Sequence, residues 1–130
     1  IVQANMSVSY PGMVRAWHRH ERGQVDHFLV IRGALKICAY DDESSELDEV
    51  ISAGENPQLV RVPGHYWHGF KVVGNEQATL IYFVNRLYDY SSPDEERRPW
   101  DDQTIIPETI NGKRDDRCGK AWDWFLPAFK

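Results

Sequence analysis

The sequence predicts an all-β fold, a small β-barrel or double-sheet jelly roll with an irregular C-terminal tail. Three observations carry that expectation. Nine glycines and seven prolines punctuate the 130 residues, so few windows can hold a helix of about ten residues. The runs between them are rich in β-branched and aromatic residues. The composition, 42% hydrophobic and 27% charged, describes a single domain over residues 1–130, able to bury roughly two-thirds of its unfolded surface without a disulfide or metal staple. Within it, residues 1–88 read as the barrel and residues 89–130 as the irregular tail.

Five runs read as strands: residues 27–32 (HFLVIR), 34–40 (ALKICAY), 58–63 (QLVRVP), 68–73 (HGFKVV) and 78–85 (ATLIYFVN). In the second, Leu35 and Ile37 share one face and Lys36 takes the other. In the last, Leu80, Phe83, Val84 and Leu87 also fit helical spacing, but the Ile-Tyr-Phe-Val run favours a strand buried on both faces. Arg32-Gly33 predicts a tight join between strands, residues 41–49 (DDESSELDE) a solvated acidic loop, and Gly74-Asn75 a hairpin turn. Residues 89–117 are charged and interrupted by Pro93, Pro99 and Pro107, without sustained periodicity. The aromatic cluster of Trp122, Trp124, Phe125 and Phe129 gives this tail a means of docking.

Charge and apolar pattern exclude several function classes. A net charge of -5 disfavours nonspecific nucleic-acid binding, which needs a basic face. No apolar run approaches the ~18 residues of a membrane span. Cys38 and Cys118 form neither a zinc pattern nor a disulfide framework and suit a reducing cytoplasm, one as a core residue and one in a loop. The chain opens at Ile1 without methionine, which reads as a trimmed start.

All five histidines, His18, His20, His27, His65 and His68, fall in two short stretches and are expected to meet in space. His18 and His20 lie two apart, so on a strand they share a face. Gly12, His18, His20, Asp26 and Gly33 spell G-x5-H-x-H-x5-D-x6-G, which resembles the first motif of the cupin superfamily, usually with a glutamate slightly earlier than Asp26. Pro63 and His68 resemble its second motif, P-x-G-x-x-H, with His65 at the glycine position. The resemblance implies a cupin-type jelly-roll barrel. One reading makes His18, His20, Asp26 and His68 ligands of iron, manganese, zinc or nickel. The other has some of these histidines bonding backbone groups beside the barrel mouth.

A longer pattern is similar to the dTDP-4-dehydrorhamnose 3,5-epimerase family. Residues 3–18 (QANMSVSYPGMVRAWH), 62–70 (VPGHYWHGF) and 81–93 (IYFVNRLYDYSSP), with Trp100-Asp101-Asp102, match its blocks in order. The family moves protons at carbons 3 and 5 beside the ketone of a dTDP-4-keto-6-deoxyhexose, without metal or organic cofactor. The resemblance therefore implies a dTDP-sugar substrate, His18 as base, Tyr82 as acid on the opposite face and His68 beside the enolate. A histidine titrates near neutrality and a phenol can return a proton, so the residue types suit those roles. It also implies substrate contacts from Gln3, Asn5, Arg15 and Tyr88, with the arginine fork on the diphosphate.

Three departures stand out. Asp26 aligns with the family's lysine, reversing a charge; His20 occupies a position where the family has no ligand; and the late aspartate that orients the base has no clear match, leaving Asp115 or Asp116 as candidates. The family is homodimeric through N-terminal strands that fall mostly before Ile1. The remaining alternatives are a metal-dependent cupin enzyme, a 3,4-ketoisomerase on the same sugar, and a noncatalytic sugar-binding cupin.

Overall fold

In the computed structural model, which describes residues 1–127, the chain forms ten strands and, among these residues, no helix. They are β1 Gln3–Ser9, β2 Val14–Arg19, β3 Val25–Arg32, β4 Ala34–Asp41, β5 Glu46–Ala53, β6 Leu59–Pro63, β7 Trp67–Val73, β8 Ala78–Val84, β9 Glu96–Arg97 and β10 Thr109–Ile110. Four strands pair in the order β1-β8-β3-β6, and six in the order β10-β5-β4-β7-β2-β9. Two facing sheets with the chain crossing repeatedly between them make the expected cupin-type jelly roll.

All five predicted strands form, each within a few residues of its expected bounds. Strands β1, β2 and β5 are additions, as are the two-residue strands β9 and β10 in the tail expected to be irregular. The acidic stretch 41–49 is a loop only at residues 42–45, because Glu46 opens β5, which pairs with β4 along its whole length. Alternation explains the difference, since Leu47 and Glu49 are buried while Glu46 and Asp48 stay exposed. Gly74-Asn75 is not a hairpin turn: β7 lies in the larger sheet and β8 in the smaller, so the turn carries the chain from one to the other. The tight join at Gly33 does the same between β3 and β4. A Cβ on Gly33 would sit 2.5 Å from the Gln77 carbonyl oxygen, and its φ is +69°. Backbone approach and left-handed geometry therefore both require glycine where the two crossings touch.

The sheets enclose a core of Phe28, Val30, Leu35, Ile37, Val62, Val72, Ala78 and Leu80. Lys36, on the opposite face of β4, does not meet solvent. It is 2% exposed and donates to the carbonyls of Trp124 (3.0 Å) and Leu126 (2.6 Å). The tail covers this outer face and builds a second core with it, in which Trp17, Cys38, Tyr40, Leu47 and Trp67 meet Ile105, Ile110, Cys118, Trp122 and Trp124. Both cysteines are buried and free. Phe125 remains exposed, and Phe129 lies outside the described residues. Strand β8 is buried on one face only, for Ile81 and Phe83 stay half-exposed on the outer side of the smaller sheet. No helix among the described residues is long and apolar enough to cross a membrane.

Candidate functional site

One open cavity of about 970 Å³ lies between the sheets at the barrel mouth, lined by His18, His20, Asp26, His68, Tyr82 and Arg15 among others. That is the size range of small-molecule sites. Strand alternation supplies much of its wall. On β1, Gln3, Asn5 and Ser7 line the cavity while Ala4, Met6 and Val8 face out. On β8, Leu80, Tyr82 and Val84 face in. Strand β2 breaks its alternation at a register shift between Ala16 and His18. The shift lets Trp17 enter the outer core while Arg15 and His18 both reach the cavity.

Three of the five histidines converge. His18 pairs in register with His68 across β2 and β7, and the ring centroids of His18 and His20 lie 6.4 and 5.3 Å from that of His68. His27 points away, because its neighbours Asp26 and Phe28 take the inner face of β3. His65 stacks on Tyr66 at 4.2 Å. Sequence proximity grouped these two with the others, but strand parity and the turn before β7 separate them.

His20 and His68 are held by the backbone. His20 Nδ1 donates to the Asp94 carbonyl (2.7 Å) and His68 Nδ1 to the Tyr66 carbonyl (2.9 Å). Each therefore turns Nε2 toward Asp26 Oδ2, at 3.8 and 3.5 Å. Gln24 Nε2 donates to Asp26 Oδ1 (2.7 Å) and lies 3.3 Å from His20 Nε2. Burial works to raise the Asp26 carboxyl, but hydrogen bonds with His68 and Gln24 prevail and hold it below its ordinary 3.8. His20, Asp26 and His68 bring one ligand atom each within 4.8 Å of one another and so form the group that could hold a metal ion. His18, expected as a fourth ligand, is not part of it.

His18 faces a different carboxylate. Its Nδ1 lies 3.1 Å from Glu95 Oε1. Burial pulls its pKa below the ordinary 6.5; Glu95 opposes that shift, and His68, Arg97 and His20 reinforce it. The imidazole is thus largely neutral, and able to accept a proton, near pH 7. Asp115, a sequence candidate for the His18 partner, is instead bonded to Arg117 in the tail. Nothing in the charged run from Asp94 to Arg98 marks Glu95 in the sequence. Its place follows from β9 pairing with β2, which sets Arg97 opposite His18.

Tyr82 stands on the smaller sheet, opposite His18 on the larger one, with Asn5 and Phe28 as its strand neighbours. Burial raises its phenol above the ordinary 10.0, Asp26 adds to the shift and Arg15 opposes it. The group therefore stays protonated at neutral pH. Gln3 donates to Asn5 Oδ1 (3.0 Å), and Arg15 stands exposed on the cavity wall. Tyr88, exposed at the rim, meets Tyr90 edge-on at 4.6 Å.

The model of the polysaccharide biosynthesis C-terminal domain family matches residues 1–96, nearly three-quarters of the chain. The chain belongs to that family. The chain is similar to the probable low-salt glycan biosynthesis epimerase Agl13 of Haloferax volcanii, 48% identical over 100 residues, covering 73% of this chain and 64% of the relative. The spore coat polysaccharide biosynthesis protein SpsL of Bacillus subtilis is 38% identical over 108 residues, covering 79% and 71%. The domain thus spans just under two-thirds of the Agl13 length and somewhat more of SpsL. A solved dTDP-6-deoxy-D-glucose-3,5-epimerase of Legionella pneumophila, in complex with dTDP-4-keto-L-rhamnose, superposes with a TM-score of 0.64 at 26% identity. That match covers 74% of this chain and 53% of the solved one. The family match ends at Glu96, so it includes His18, His68, Tyr82 and Glu95 but not residues 97–130, which make up most of the tail.

Proposed function

We propose that the chain is a nucleotide-sugar epimerase that moves protons beside the ketone of a dTDP-4-keto-6-deoxyhexose, at carbon 3, carbon 5 or both. The observation that carries this reading is the placing of a neutral histidine, His18, and a protonated phenol, Tyr82, on opposite sheets of one cavity. Its similarity to Agl13, named as an epimerase, supports the reaction class, and the Legionella enzyme supports the sugar.

In this mechanism His18 Nε2 takes the proton from the carbon next to the ketone, the C–H electron pair forms the C=C bond, and the carbonyl π pair moves onto the ketone oxygen as an enolate. His68, on the same sheet, stands beside that oxygen. The electrons then return to carbon, which takes a proton from Tyr82 on the opposite face, inverting the centre. Solvent resets both groups. Gln3 and Asn5 contact the sugar, Arg15 the diphosphate and Tyr88 the exposed end of the ligand. In heavy water the protein should wash deuterium into carbon 3, carbon 5 or both of the keto sugar. Binding without exchange would overturn the reading, and NMR of the product separates epimerisation from 3,4-ketoisomerisation.

The convergence of His20, Asp26 and His68 favours a second reading, a metal-dependent cupin. Elemental analysis decides it: about one equivalent of metal, with exchange lost on chelation, would replace the first reading. An apolar outer face supports pairing into a homodimer in either case. Met6 (69% exposed), Leu59 (61%) and Ile31 (46%) stand with the half-exposed Ile81 and Phe83 on the outer face of the smaller sheet. An M6K/L59K variant should sediment as a monomer if this face joins two copies. Two free thiols suit action in the cytoplasm.

A further inference from the structure

The Nδ1 nitrogen of His18 is buried and makes no aligned hydrogen bond, yet Glu95 Oε1 lies 3.1 Å from it. Both sides of Glu95 are tied to β2 or to the residues that directly follow it. On the C-terminal side, Trp17 and Arg98 exchange two backbone hydrogen bonds of 3.1 Å, and β9 pairs Arg97 with His18. On the N-terminal side, the Asp94 carboxylate accepts the amides of Glu21 and Arg22 at 2.9 Å each, and its carbonyl accepts His20 Nδ1. The two Glu95 oxygens are also divided between partners. Arg97 donates to Oε2 from Nε (3.2 Å) and Nη2 (2.9 Å), which leaves Oε1 for His18.

We propose that Glu95 is the positioning residue of His18. It accepts the Nδ1 proton after a small rotation of the ring, and so fixes the tautomer in which Nε2 carries the lone pair that faces the cavity. A histidine serves as base only through the nitrogen that lacks the proton, and the hydrogen bond at the other nitrogen decides which one that is. Asp115 is instead held by Arg117 in the tail. The catalytic consequence rests on the epimerase reading; the tautomer itself does not.

The test therefore has two independent arms. Long-range 1H–15N spectra at pH 8, with His18 assigned through a His18→Gln control, report which ring nitrogen carries the proton. Wild-type protein should show His18 protonated at Nδ1, and Glu95→Ala should move a large share of it to Nε2. Glu95→Asp should restore the wild-type tautomer in part. A wild-type His18 protonated at Nε2, or an E95A spectrum identical to wild type, would overturn the proposal. In the second arm, deuterium exchange into the keto sugar should show kcat reduced about 10²–10⁴-fold in E95A, with KM changed less than about threefold and partial recovery in E95D. A pure rise in KM would also overturn it. If wild type fails to exchange the sugar, the epimerase reading falls while the first arm still judges Glu95. Glu95→Gln, which keeps the size and the Arg97 contact through its carbonyl, serves if E95A is poorly folded, and is expected to lower kcat in the same way.

Discussion

Replacing Arg117 with methionine removes one of the charges that join the tail to the barrel. Arg117 Nη1 reaches both oxygens of Glu49, at 3.0 and 2.8 Å, and Nη2 reaches Asp115 Oδ2 at 2.9 Å. The Arg117 and Glu49 side chains are only 4% and 2% exposed, so water screens their interaction little. Methionine fills similar space but leaves the Glu49 carboxylate in a low-dielectric site. Lys36 Nζ still lies 3.9 Å from it, though that ammonium is already bonded to the Trp124 and Leu126 carbonyls. Breaking a buried pair by removing one partner costs about 3–5 kcal/mol, and the residual lysine places the loss near the lower end. For a domain of this size that lowers the melting temperature by about 10–15 °C. Urea unfolding followed by tryptophan fluorescence reads it directly, because Trp17, Trp122 and Trp124 are buried in the core that the tail forms. The double variant E49Q/R117M should be more stable than R117M by at least about 1 kcal/mol, since the unpaired charge is gone. A loss below about 1 kcal/mol in R117M, or a double variant less stable than the single one, would refute the reasoning.

Tyr82→Phe should cut isotope exchange about 10²–10⁴-fold while leaving the melting temperature within a few degrees, because the ring and its packing on Phe28 at 6.1 Å remain; equal exchange in wild type and Y82F would remove Tyr82 from the proton path. Gly69→Ala should destabilise the barrel by about 1–3 kcal/mol, since the new Cβ would collide with Ala16 Cβ and stand 2.7 Å from the Arg15 carbonyl oxygen on β2. An unchanged urea midpoint would contradict that close approach. Asp102 is held down to about 2 by the Thr104 hydroxyl and Arg98, against burial, from an ordinary 3.8. Its contribution is present in full above pH 3.8 and lost as pH falls through about 2. The stability gap between wild type and D102N should therefore close over that window, and a gap that widens on acidification would reverse the assignment.

Much of the fold was legible because strand alternation and turn chemistry are local. The runs that became β3, β4, β6, β7 and β8 announced themselves through β-branched and aromatic residues. Strand β5 did not, because Glu49 reads as a solvent group until Arg117, 68 residues away, neutralises it. Lys36 takes the face opposite Leu35 and Ile37 as the alternation expects, but its burial there depends on carbonyls at Trp124 and Leu126, which no local pattern shows. The Gly74-Asn75 turn looked like a hairpin because a turn sequence does not specify which sheet receives the next strand.

The candidate site divides in the same way. By itself the sequence determined its chemical inventory: a histidine pair two residues apart, a second histidine motif, a tyrosine on a later strand and an arginine near the start. These are fixed by residue type and short spacing, and the cavity contains all of them. Tertiary structure decided the partnerships. It set His27 and His65 aside, gave His20 and His68 to Asp26, and brought Glu95 rather than Asp115 to His18. The physical reason is that a side chain's role depends on which charges lie within about 4 Å, where Coulomb energy in a buried site is large. Those neighbours come from strand pairing between segments tens of residues apart, as β9 and β2 illustrate, and no local pattern records them.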